Sequence, residues 1–297
     1  MTPVMSSDGS KIFSTCVGGI GIKKRTVILK MYILALTSTQ YCAKTPAGRH
    51  FQVKRRIAII GDIHGCIDEL TELYGKLRAD GISEVYHLGD LVDRGPDSVG
   101  VIRFCRDNQI FGIMGNHESS LLNVNDQIAK PDFDPRKLSV AKLEPITIAQ
   151  RLAAEDIDYI RALPKLHVID EFNLVLVHAG LYPTRPLYLQ DRTVLYMQMI
   201  HPDRSGDIRW TSKQGQYTNE ESRALGYAPW QELYDGAERV IHGHTVYGEP
   251  NIQGLTTGID TGCVFGGSLT ALIIPDEKFI QVKAKMKYAE RHEGYGS

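Results

Sequence analysis

The clearest periodic signal along the chain is a set of short apolar runs, each stopped by a glycine. Arg56-Ile57-Ala58-Ile59-Ile60 ends at Gly61, Val85-Tyr86-His87-Leu88 at Gly89, and Ile110-Phe111-Gly112-Ile113-Met114 at Gly115. Such runs, rich in branched residues, predict strands. After the first strand, Ile67, Leu70, Leu73, Tyr74 and Leu77 recur at helical spacing, and Val99, Ile102 and Cys105 mark a second helix. The alternation of strand and helix predicts an α/β fold with parallel strands, whose ligands gather at the strands' carboxyl ends.

Farther on, residues 119–166 read as mainly helical, interrupted by the turn cluster Pro131-Asp132-Phe133-Asp134-Pro135. From Leu174 the chain becomes strand-rich, through Leu174–Val177, Arg239–Ile241, Leu269–Ile274 and Phe279–Lys283. Residues 185–230 between them are polar and irregular, which predicts a substrate-facing loop region.

Residues 1–55 lack this periodicity and form a separate N-terminal extension, followed by a folded domain over 56–285 and a polar tail over 286–297. The extension is basic: no acidic residue occurs between Gly9 and Gly61, whereas Lys23, Lys24, Arg25, Lys54, Arg55 and Arg56 all do. An acid-poor leader of this kind resembles an organellar transit peptide, with a disordered tail or an upstream translated stretch as the blander alternatives. Its longest apolar run, Met31–Leu36, is too short to span a bilayer. The five cysteines include no C-x-x-C pair and read as reduced thiols, so the default location is cytoplasmic. A net charge of −1 gives no reason to expect a stable nucleic-acid partner.

Candidate chemistry sits where the apolar runs end. The segments are Gly61-Asp62-Ile63-His64-Gly65, Gly89-Asp90-Leu91-Val92-Asp93-Arg94-Gly95, Gly115-Asn116-His117-Glu118, Val177-His178-Ala179-Gly180 and His242-Gly243-His244-Thr245. A lone Gly-Asp at a strand exit is usually a turn, and a lone His178 could be a packed core histidine. Five such exits together predict a dinuclear metal site. Asp62 and His64 make half of it, Asp90 can bridge, and Asn116, His178 and His244 can serve a second ion. Mixed nitrogen and oxygen ligation suits Mn, Fe, Zn or Ni. Two ions about 3.5–4 Å apart activate a shared water and clamp both oxygens of an in-line displacement.

In combination these segments resemble the calcineurin-like metallophosphoesterases, within the phosphoprotein phosphatase superfamily, over roughly Arg56 to Lys283. The resemblance implies a β-sandwich of two mixed sheets flanked by helices. It places Asp62, His64 and Asp90 on one metal and Asp90, Asn116, His178 and His244 on the other, with His242 the weaker ligand of its pair. It implies hydrolysis by a metal-bridged hydroxide, with His117 as general acid, Asp93 orienting it and Glu118 supporting the ligands. Arg94, Asn116 and a second arginine would contact the substrate. Arg209 is the expected second arginine, with Arg185, Arg192, Arg204 and Arg223 competing.

Two features resemble the diadenosine tetraphosphatase-like branch: Cys66 after the first motif, and the segment Gly258–Leu272. They imply a phosphoanhydride substrate such as a dinucleoside polyphosphate. The alternatives are a Ser/Thr protein phosphatase acting on a phosphoprotein, a polyphosphate or mRNA-cap hydrolase, and an inactive scaffold. Thr245 departs from the bacterial symmetric tetraphosphatases and leaves the substrate open.

Overall fold

Strand β1 (Ile57–Ile60) is buried at every position, and its two faces serve two different cores. Ala58 and Ile60 pack with Leu70, Leu73 and Leu77 of helix α1 (Ile67–Ala79) and with Val99 and Ile102 of α2 (Ser98–Asp107). Ile57 and Ile59 point the other way, onto Leu174, Leu176 and Ile241 of a second sheet. The period-2 alternation of a strand is therefore spent on two apolar layers, which is why the run carries no polar residue. Each fully buried branched side chain contributes about 1.5–3 kcal/mol of transfer free energy.

The computed structural model describes residues 42–44, 50–52, 55–134, 143–202, 208–209 and 219–290. The chain falls into two units, Met1–Arg55 and Arg56–Ser297. In the first, Cys42–Lys44 pairs antiparallel with His50–Gln52. The expectation of a disordered or targeting extension otherwise concerns residues outside the described ones.

In the second unit, β2 (Glu84–His87) and β3 (Phe111–Gly112) follow β1. Helices α3 (Asn116–Ile128), α4 (Leu143–Ala149) and α5 (Ala154–Ala162) come next, then β4 (Leu166–Ile169) and β5 (Leu174–Val177). After β6 (Met199–Ile200), β7 (Ile208–Arg209), α6 (Asn219–Ala224) and β8 (Ala228–Pro229) come β9 (Arg239–His242), β10 (Asn251–Gln253), β11 (Thr256–Gly258), β12 (Ser268–Ile274) and β13 (Lys278–Lys283). One five-stranded sheet has the order β13-β12-β1-β2-β3 and the other β10-β11-β9-β5-β4. Both are mixed: β1, β2 and β3 run parallel and so do β5, β9 and β11, while β12 pairs antiparallel with β1 and β13, β10 with β11, and β4 with β5. The expected sandwich of two mixed sheets flanked by helices is the fold observed.

Register brings the strand exits level. Ile60 stands opposite His87, and Val177 opposite His242. Beyond the ladders, His64 N–H donates to the Asp90 carbonyl (2.8 Å) and Gly243 N–H to the His178 carbonyl (2.9 Å).

Several expectations are refined. The third strand is short, because Met114 N–H leaves the ladder for the Pro164 carbonyl. The helical stretch is three helices, and its end is the edge strand β4, whose exposed Val168 gave no continuous apolar run. Region 185–230 holds 3₁₀ turns and a small sheet ordered β8-β6-β7. The first residues of the polar tail pack down: Tyr288 and Ala289 N–H both donate to the Val264 carbonyl. Among the described residues no helix is long and apolar enough to cross a membrane.

Candidate metal centre and active site

Asp90 leaves β2 in a left-handed conformation (φ 49°), and its carboxylate is the point on which three imidazoles converge. His64 Nε2 is 3.5 Å and His117 Nε2 3.8 Å from Oδ2, while His178 Nε2 is 3.4 Å from Oδ1. Two groups of atoms that could hold a metal ion result, His64/Asp90/His117 and Asp90/His178/His244, each with its atoms within 4.8 Å of one another. Asp90 belongs to both.

The backbone is strained to achieve this. Eight non-glycine residues have positive φ among the described residues: His64, Asp90, Asp93, Arg94, Gln109, Asn173, His244 and Glu277. Five of them carry the candidate site, each at a cost of order 1–3 kcal/mol. Glycines permit the loops to approach. A Cβ on Gly95 would lie 1.9 Å from the His64 carbonyl oxygen, and one on Gly243 2.0 Å from Asp62 Oδ1.

The tautomers are fixed from outside. His64 Nδ1 is 2.8 Å from the Val92 carbonyl and His178 Nδ1 2.7 Å from the Leu88 carbonyl. Each Nδ1 therefore carries the proton and donates it, leaving an Nε2 lone pair aimed at a carboxylate. A lone pair facing an anion at 3.4–3.5 Å is repulsive unless a cation stands between them. Arg94 Nη1, 2.6 Å from His64 Nε2, supplies one positive neighbour. At His178 burial opposes ionisation, but Asp90 overrides it and raises the group to about 10. A dication held there would supply the same charge and leave Nε2 its lone pair. The donor set of imidazole, carboxylate and Asn116 amide oxygen, 3.0 Å from His178 Nε2, fits divalent ions of borderline softness.

Asp62 closes the cluster differently. Both its oxygens accept the His244 backbone N–H, at 3.2 and 3.1 Å. Burial, then the charge of Asp260, push it well above the usual carboxylate range. In Asp90 burial alone would act the same way, but His178 and His117 hold it well below that range. Glu118 accepts the N–H groups of Asp90 (2.8 Å), Leu91 (2.7 Å) and Gly115 (2.9 Å), which locks the β2 exit onto the start of α3. His117 Nδ1 is 2.6 Å from Asp93 Oδ2.

The calcineurin-like phosphoesterase family model matches residues 55–248. The chain belongs to that family. A bis(5'-nucleosyl)-tetraphosphatase PrpE [asymmetrical] of Geobacillus thermodenitrificans is 32% identical over 254 residues, covering 78% of this chain and 96% of the relative. Its namesake in Oceanobacillus iheyensis is 28% identical over 255 residues, covering 78% and 94%. A crystal structure provisionally named a diadenosine tetraphosphatase superimposes with a TM-score of 0.60 at 31% identity, covering 78% of this chain and 95% of that one.

As a calcineurin-like phosphoesterase the chain is a hydrolase of phosphoric esters or anhydrides that uses divalent metal, and the His/Asp groups above are where its metal can bind. Of the residues expected at the site, Asp62, His64, Asp90, Asp93, Arg94, Asn116, His117, His178 and His244 are brought together. His242 is not: it is buried against Trp230 and Tyr247, and burial lowers it to about 4. Arg209 pairs in β7 with Met199 through its backbone, but its side chain lies outside the described residues, as does Arg204.

Asp260 was legible but overlooked. It follows β11 as another polar residue at a strand exit, is buried, and is raised to about 6 by burial and the charge of Asp90. Phe265, in the same late segment, lies under the Arg94 guanidinium at 5.4 Å. Cys66 and Cys263 meet in the core behind the site, with Glu69 completing a third group within 4.8 Å. Glu69 Oε1 accepts Lys285 N–H and Tyr288 O–H, both at 2.8 Å. Contact with Cys66, then burial, push the Cys263 thiol up, so Cys263 packs as neutral sulfur.

Proposed function

We propose that the chain hydrolyses phosphoanhydrides of nucleotide polyphosphates at a dinuclear metal centre, with dinucleoside tetraphosphates as its leading substrate. The observation that carries this reading is the division of Asp90, one oxygen toward His64 and the other toward His178. The tetraphosphatase names of the relatives support the substrate class, and they do not favour the Ser/Thr protein phosphatase alternative. Asp62, His64 and Asp90 would hold one ion, and Asp90, Asn116, His178 and His244 the other, drawn from Mn, Fe, Zn or Ni. Such a pair supplies a nucleophile near neutral pH and neutralises charge at phosphorus.

The chain's own groups do the rest. Arg94, beside His64, offers a planar fork to the phosphoryl oxygens, with Asn116 at the opposite flank. His117 directs Nδ1–H at Asp93, so Nε2 is the atom that delivers a proton to the leaving oxygen. Asp93 fixes that tautomer and stabilises the charged ring. Arg209 stays the proposed second arginine for the transferred phosphoryl group.

The deciding experiment is a substrate panel with manganese-loaded protein: diadenosine tetraphosphate, inorganic polyphosphate, capped RNA and a phosphoserine peptide. The tetraphosphate is expected to turn over best. Turnover of the phosphopeptide alone would overturn the reading.

A further inference from the structure

We propose that Arg192 binds the phosphates beyond the one being cleaved, and so selects chains of linked phosphates over simple monoesters. The inference rests on the phosphohydrolase reading of the site.

Arg192 opens a 3₁₀ turn, Arg192–Leu195, that is tied to the centre from two sides. Its Val194 carbonyl accepts the N–H groups of Ala179 (2.9 Å) and Gly180 (3.3 Å), the two residues after His178. Its own guanidinium reaches Ser119 Oγ at 3.1 Å, within the first turn of the helix that begins at Asn116 and His117. Arg192 thus stands on the Asn116/His178 flank, whereas Arg94 stands on the His64 flank.

The turn is rigid. Asp191 accepts Thr193 N–H (2.8 Å) and Thr193 O–H (2.7 Å), and pairs with Arg185 at 3.3 Å. A held guanidinium loses less freedom on meeting its ligand than a free one.

Charge separates Arg192 from its rivals. Arg185 is matched by Asp191 and Arg223 by Glu232. Among the described residues, the polar contacts of Arg192 are two neutral hydroxyls, Ser119 Oγ and Tyr196 Oη at 3.4 Å, and it is exposed. No carboxylate among the described residues neutralises its positive charge, and a planar fork is matched to phosphate oxygens. A monoester occupying the metals has no second phosphate to offer Arg192. A polyphosphate chain running out of the site past α3 does.

The test compares two inorganic probes as inhibitors of p-nitrophenyl phosphate hydrolysis, in initial rates, with the full-length protein at saturating manganese. Orthophosphate reports the metal subsite and tripolyphosphate reports the subsite plus its extension. Arg192→Gln is expected to weaken tripolyphosphate inhibition by about tenfold, roughly 1.4 kcal/mol, and orthophosphate inhibition far less. Arg192→Lys, which keeps the charge but not the fork, should fall between. Equal weakening of both probes, or of neither, overturns the assignment. A wild-type protein that hydrolyses no phosphate substrate would instead defeat the phosphohydrolase reading itself.

Discussion

His117 Nδ1 lies 2.6 Å from Asp93 Oδ2, and Asp93 is held there in a left-handed conformation (φ 69°). A residue that strains its backbone to reach one imidazole has a specific use for it. With Nδ1 committed, the transferable proton is on Nε2, and the benefit of giving it away grows with the basicity of the leaving oxygen. His117→Asn and Asp93→Asn should each lower kcat by about 10²–10⁴ while leaving the metal content unchanged. Rates for aryl phosphates of graded leaving-group acidity check this: the loss should be steepest for the poorest leaving groups. A uniform loss would reject proton donation.

Asp90→Asn should be more damaging and different in kind. An amide keeps one oxygen but replaces the other with a donor, so it cannot face both His64 and His178 as an anion. Hydrolysis should fall at least as far as in the His117 variant, and metal per chain should drop below two by elemental analysis. Retention of two ions with full activity would refute the shared role of Asp90.

Much of this centre was legible because parallel strands buried on both faces write themselves as apolar runs, and the register leaves their exits level. Asp62, Asp90, Asn116 and His178 follow such runs directly. Asp260 was passed over because its strand, Thr256–Gly258, is short and carries threonines, although both are buried. Arg192 could be named only as one of several competing arginines, since a 3₁₀ turn has neither helical nor strand periodicity and the ties of that turn to Ser119 and Ala179 are long-range. The meeting of Cys66 with Cys263 likewise depends on the β1–β12 pairing, which no local pattern predicts.

Metal removal should expose the repulsion that the ions would balance. Asp62, Asp90 and Asp260 are buried together, and two of the three are raised above their usual range largely by burial. Dialysis against a chelator should lower Tm, and manganese should restore it in a concentration-dependent way. By mass action the recovery reaches about 2.7 kcal/mol when free metal is 100-fold above Kd. Differential scanning calorimetry across a metal series measures it, and a Tm indifferent to chelator would contradict the site.

His87 provides a pH prediction independent of catalysis. Its Nδ1 accepts Gly89 N–H at 3.1 Å, so Nε2 carries the proton toward Tyr159 Oη, also at 3.1 Å, and the ring is buried as the neutral form. Burial, then the charge of His178, lower it from 6.5 to about 3. Above the unfolded value both states are neutral and the ring contributes no pH dependence. Below it the unfolded chain takes up a proton that the folded chain refuses, so stability is lost as pH falls from about 6.5 toward 3. The slope from this one group is about 1.4 kcal/mol per pH unit. His87→Asn keeps an acceptor near the Nδ1 position without a titrating ring, and should be less stable than wild type at pH 8. The gap should narrow steadily on acidification, as read from urea midpoints at several pH values. A gap that stays constant with pH would mean that folding does not lower the titration of His87.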